Sequence, residues 1–234
     1  IASFIGVSGL FALTGILTVI SIGVVAWMTP DPEVSKMHED TQAQPSRMGE
    51  VLKNRQLLNL DFGIFALHAA QMALFTALPF AMTQLGLEKI HHWRVYLPST
   101  ITGLIIMVPL IIVGETRNKL KQVFILGIVC IAAAQIGLLF GMHSVWLITA
   151  YLIVYFIGFN VLEASLPSMV SKIAPSDLKG TAMGVYNTMQ SVGLFVGGAT
   201  GGLLFQKYGF VGVFAFCSVL MLLWLVLAVM LRKE

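Results

Sequence analysis

Seven apolar segments, at residues 4–27, 58–84, 97–113, 122–141, 145–170, 181–205 and 210–231, leave this chain little to become except a set of membrane-spanning helices. A span needs about 20 mostly apolar residues, because roughly 30 Å of hydrocarbon is crossed at about 1.5 Å per residue. Only 11% of the 234 residues are charged, where soluble domains carry about 25%. The third segment is short and holds Pro109, which blurs its ends. The expected fold class is therefore an all-α membrane protein with seven transmembrane helices. The small net charge of +3 sits in loops and gives no nucleic-acid footprint.

The segments divide unevenly. Residues 1–27 form one transmembrane helix, 28–57 a polar linker, and 58–234 a six-helix transmembrane bundle. The first half of the linker is rich in proline and acids. Its second half has Met48, Val51 and Leu52 at helical spacing beside Lys53 and Arg55, which predicts a short amphipathic helix on the membrane surface. Lys and Arg are enriched in cytoplasmic loops. One set of loops holds Lys36, Arg47, Lys53, Arg55, Arg117, Lys119, Lys121, Lys172, Lys179, Arg232 and Lys233; the other holds only Lys89, Arg94 and Lys207. The linker and the C-terminus are accordingly expected in the cytoplasm. The chain opens at Ile1 with no charged n-region, so no signal peptide is read. It is expected to begin inside a longer protein.

Glycines crowd the sixth segment. Gly193, Gly197 and Gly201, and also Gly198 and Gly202, recur at i, i+4, which predicts helix faces that admit a neighbouring backbone closely. Asn187 and Gln190 lie three apart on one face, where they bond a neighbouring helix or line an aqueous cavity. His68 and Gln71 form a similar pair near the middle of the second segment, with Phe75 one turn on. An ionisable group at that depth is costly and is a functional candidate by default. As a group that titrates near neutral pH, His68 is a candidate proton carrier. Asp61, at the start of its segment, reads as an acid placed to favour the helix dipole.

Glu163 lies eight residues before Ser171, about 12 Å along the helix from the cytoplasmic end. Asn160 and Pro167 share its face. Three roles remain open for it. It pairs with Arg117, Lys119 or Lys121 as a gating latch, it is a proton-coupling acid, or it satisfies nearby backbone donors. Cys130 and Cys217 read as packing residues. The adjacent His91 and His92 point apart and have no third ligand near, so no metal and no cofactor are expected. Gly6-Val7-Ser8-Gly9 matches the GxSG of intramembrane serine proteases, a four-residue coincidence in a glycine-rich chain and a remote alternative.

The glycine-rich sixth segment, the loop GETRNKLKQVF and the long linker resemble the second half of a major facilitator superfamily transporter. GFNVLEASLPSMVSK, KGTAMGVYNTMQ and HHWRVYLP are similar to bacterial inner-membrane members grouped with drug/proton antiporters. The resemblance implies that this chain is the sixth helix plus the C-terminal six-helix half, partnered by a missing N-terminal half. It implies alternating access around a central cavity. The second and fifth segments would line that cavity, which favours His68, Gln71, Tyr155 and Asn160. Gly114 to Lys121 would be the second-half copy of the family's cytoplasmic signature loop, without the Asp at its fifth place. It makes Gly114, Arg117, Lys119 and Lys121, with Glu163, the candidate cytoplasmic gate. The expected function is secondary transport, with small amphipathic compounds exported against protons across a bacterial inner membrane. The alternatives are an uncoupled facilitator and a non-transport membrane interaction module.

Overall fold

Each apolar segment closes its backbone hydrogen bonds within a helix in the computed structural model, which describes residues 2–29 and 44–230. Lys36, Arg232, Lys233 and the first half of the linker lie outside the described residues. The helices are α1 (Ala2–Met28), α2 (Met48–Val51), α3 (Arg55–Gln84), α4 (Trp93–Thr116), α5 (Leu120–Phe140), α6 (Val145–Ile173) and α7 (Lys179–Met230). Two units result, residues 1–38 and 39–234. In the first, the hydroxyls of Thr14, Thr18 and Ser21 each donate to the carbonyl four residues back at 2.9 Å, so α1 satisfies its own polar groups.

In the second unit, α7 runs for 52 residues, which covers the last two apolar segments without a loop. Gly209 breaks it, with φ 63° and ψ −150°, a conformation that only glycine adopts cheaply. The neighbours of α3 show that the chain reverses there. Gly193, Gly197 and Gly201 meet Phe65, Ala69 and Ala73 in rising order. Cys217, Trp224 and Leu227 meet Ala70, Gly63 and Asn59 in falling order. The two segments are therefore two spans, a first arm parallel to α3 and a second antiparallel to it, joined by a one-residue turn. The short third segment extends at both ends into α4, which carries Pro98 and Pro109 within the helix.

Missing side chains set the spacing of the bundle. A Cβ at Gly193 would lie 2.5 Å from the Phe65 carbonyl oxygen, one at Gly201 2.7 Å from Ala73 Cα, and one at Gly197 would collide with the Ala69 carbonyl. Small residues thus bring the first arm onto the α3 backbone. Gly198 and Gly202 correct the expectation drawn for them, because a Cβ on either would meet nothing within 4 Å. They sit on another face of the same helix, and i, i+4 spacing alone does not tell the two rows apart. The other helices use the same device on α6. Gly103 of α4 lies against the Phe156 backbone, and Gly127 of α5 against Gly158.

The linker helix forms as α2 and packs on the bundle through Val51, while Met48 and Leu52 stay exposed. Val51 is buried in the core, 2% exposed. Polar contacts tie this segment to the start of α7: the Gln44 backbone N–H donates to Thr181 Oγ1 at 2.8 Å, and Arg47 Nη1 to Asp177 Oδ2 at 2.5 Å. Arg47 also holds Glu50 at 2.7 Å. Glu115 and Lys172, at 3.1 Å, join the same end of α4 to α6. Linker, loop 117–119 and loop 174–178 therefore share one end of the bundle.

Two outcomes follow from this packing. Gly197→Ala in the full protein lowers the unfolding free energy by about 1–3 kcal/mol through overpacking, while Gly49→Ala, whose Cβ meets nothing, stays within about 0.5 kcal/mol; thermal unfolding in detergent distinguishes them. Hydrogen bonding to Arg47 holds the Asp177 and Glu50 carboxyls below the usual range. A carboxyl lowered in the folded state stabilises it above the unfolded value and loses that contribution as pH falls through the lowered one. A spin label at Met48→Cys is expected to gain mobility below about pH 4, and Arg47→Ala to make it mobile at every pH.

Candidate functional site

The polar interior of the bundle gathers on three helices, α3, α6 and the first arm of α7. His68 lies thirteen residues into α3, about 20 Å along its axis, and is 5% exposed. Its Nδ1 stands 3.2 Å from the Ile64 carbonyl oxygen, and its Nε2 stands 2.8 Å from Gln190 Nε2 and 3.5 Å from Glu163 Oε1. The edge of the ring faces Phe159, with centroids 6.0 Å apart. Three residues read separately in the sequence thus meet around one imidazole.

The partners select the form of that imidazole. A carbonyl oxygen only accepts, so Nδ1 carries the proton and donates to Ile64. Gln190 Nε2 only donates, so His68 Nε2 accepts. With the amide turned this way, the contacts are those of an imidazole protonated at Nδ1 alone. A proton added at Nε2 would face the Gln190 amide nitrogen, another donor, and the amide would have to rotate to present its oxygen. The same proton would turn the imidazole into a cation beside Glu163. One protonation here would thus entail one amide rotation and one new ion pair.

Glu163 Oε1 and Asn160 Nδ2 are buried and have no hydrogen-bond partner. In this conformation the ion-pair contact of Glu163 is His68, and the acid paired at the loop end is Glu115. Of the roles open to Glu163, the contact with His68 is the one this arrangement presents directly. The loop itself forms as a tight turn: Asn118 takes φ 53° and the Lys119 N–H donates to the Gly114 carbonyl at 2.7 Å. Gly114 is buried there, while Arg117 and Lys119 are exposed and Lys121 is half-buried.

Other candidates fall elsewhere. Tyr155 is wholly enclosed, stacked near Phe159, with a hydroxyl that has no partner, so it does not line an open cavity. Gln71 is half-buried. Asn187 is exposed while Gln190 turns inward, so the predicted shared face divides at its edge. Asp61 is not a helix-dipole acid. Asn54 caps α3, accepting from the Gln56 and Leu57 N–H groups at 2.9 and 3.3 Å, and Asp61 lies beyond the first turn. Sequence reading missed Phe159 and Tyr186. The second stands four residues before Gln190, a spacing that places both on one helix face.

Among known proteins, a family model described as the Major Facilitator Superfamily matches residues 1–198 and 117–234. The chain is 34% identical over 229 residues to the inner membrane transport protein YajR of Escherichia coli strain K12, covering 98% of this chain and 50% of that protein. It is 28% identical over 197 residues to an uncharacterized transporter of Buchnera aphidicola subsp. Baizongia pistaciae, covering 81% of this chain and 48% of that protein. The chain spans about half the length of the curated relatives it matches.

Replacing Gln190 with leucine leaves His68 Nε2 without its donor. Thermal unfolding of the full protein in detergent is expected to show a loss of about 1–3 kcal/mol, the cost of a buried acceptor left unpaired.

Proposed function

We propose, from the premise that this chain belongs to the major facilitator superfamily, that the whole protein is a proton-coupled secondary exporter of small amphipathic compounds. In this reading the chain supplies the sixth helix and the C-terminal half, with the linker end of the bundle in the cytoplasm. The observation that carries the reading is the buried contact of His68 with Glu163 at 3.5 Å and with Gln190 at 2.8 Å. A lone ionised group in a membrane interior costs several kcal/mol, so an acid and an imidazole placed together there are suited to taking up and releasing a proton.

The mechanism follows from those contacts. With His68 neutral, Gln190 is tied to α3 through its N–H. Protonation releases that bond and draws Glu163 of α6 toward the imidazolium. The two states differ in which helix is held to α3, and a ligand that binds one state better shifts their balance. Substrate bound between this half and its partner would compete with the proton for that balance. The loop from Gly114 to Lys121 is assigned to the cytoplasmic gate, with Glu115 and Lys172 as its ion pair.

Ethidium, an amphipathic cation, serves as the probe with the full protein in vesicles. Accumulation driven by an imposed pH gradient is the expected result, and accumulation that persists after the gradient is collapsed would overturn proton coupling. Glu163→Gln is expected to keep ethidium exchange and to lose gradient-driven accumulation. If both survive, Glu163 has no part in coupling.

A further inference from the structure

Asp61 is the one buried acid that this mechanism leaves unused. It is 3% exposed, it makes no ion pair among the described residues, and neither carboxyl oxygen has a hydrogen-bond partner. It stands seven residues before His68 on α3, hence on the same face and about 10 Å nearer the linker end. The first arm of α7 runs parallel alongside. There Gln190 touches His68, and Tyr186, one turn nearer the linker end, is 3% exposed and within electrostatic reach of both Asp61 and Glu163. Asp61 and Tyr186 thus both lie on the linker side of the His68–Glu163 pair, on the two helices that pack closest.

The charged and titratable groups on the elements packed against α3 are few. The first arm of α7 offers Tyr186, with Lys179, Lys207 and Tyr208 toward its ends, and the second arm offers only Cys217. From α6 come Tyr151, Tyr155, Glu163 and, at its end, Lys172, and α4 brings Tyr96 against Phe75 of α3. An ionised carboxylate left unpaired in this interior would cost several kcal/mol. Asp61 avoids that cost by carrying a proton. Such a proton must come from water, and the nearer end is the linker end, where Val51 is buried and Arg47 is held by Asp177.

We propose that Asp61 is a second proton-binding residue, a relay between water at the linker end and the His68–Glu163 pair. The relay moves one proton. Asp61 releases it as Glu163 or His68 accepts it, and Asp61 is reprotonated from water when the linker segment lifts. This rests on the proton-coupled reading above, but its tests use no substrate, so either can fail alone.

Infrared spectroscopy of the full protein in lipid provides the test. At neutral pH, wild type is expected to show a protonated-carboxyl C=O band that Asp61→Asn removes and Glu163→Gln retains. Carboxyl-13C aspartate is expected to shift that band, a measurement that needs no variant. A band that neither shifts with the label nor disappears in Asp61→Asn overturns the assignment. After a pH jump, protonation at Glu163 is expected to slow about tenfold in Asp61→Asn with an unchanged end point. An unchanged rate would leave Asp61 a proton store and overturn the relay. Loss of gradient dependence in the flux assay with the Asp61 band intact would instead reject proton coupling.

Discussion

The close approach of two backbones, α3 and the first arm of α7, sets the position of the other groups in the site. It is made possible by three absent side chains, at Gly193, Gly197 and Gly201. Lipid tails are as apolar as leucine, so helices in a bilayer gain little from burying apolar area and depend on fit. Here the fit fixes both distance and rotation. With Gly193 on Phe65 and Gly197 on Ala69, Gln190 is delivered to His68, and Tyr186 falls one turn lower. A wider spacing would break the 2.8 Å contact and leave a buried imidazole nitrogen without a donor.

Polar groups in the bundle fall into two populations. Threonines and serines such as Thr76, Ser99, Ser165 and Ser218 return their hydroxyls to the carbonyl four residues back and are satisfied within one helix. Asp61, Gln135 and Tyr155 are buried with polar atoms that have no partner, and half-buried Asn160 and Glu163 each bury one such atom. The first population is silent chemistry that makes hydroxyls tolerable in lipid. The second population occurs on α3 and α6 and also at Tyr96 of α4, Gln135 of α5 and Trp224 of the second arm. Buried polar atoms without partners are costly, and those of Asn160 and Glu163 lie beside the His68 contact.

Much of this was legible in the sequence, because membrane architecture is dictated by apolar length and charge. The seven segments, the linker helix, and His68, Gln190 and Glu163 as candidates were all readable one residue at a time. What escaped was which of them meet. Glu163 lies near enough to one end of its helix that a basic loop was the partner the sequence suggested, and only the packing of α6 beside α3 shows that it also stands against His68. Likewise Gly198 and Gly202 have the same spacing as the packed row, and one step along a helix, about 100° of rotation, separates the two rows. Asp61 was misread because the helix starts at Arg55, nearly a turn earlier than the apolar pattern suggested, which leaves Asp61 beyond the first turn.

The turn at Gly209 has a consequence for how this sequence can vary. Two spans joined by a conventional loop tolerate added or deleted residues, since the loop absorbs them. Here the joint is one residue, and both arms rest on the same helix: the first through Gly193, Gly197 and Gly201, the second through Cys217, Trp224 and Leu227. A single residue inserted in the first arm between Gly193 and Gly201 would turn part of the glycine row about 100° from α3, and no slack exists to undo it. Length changes in this hairpin therefore disturb two packed faces at once, where a substitution disturbs only its own neighbours.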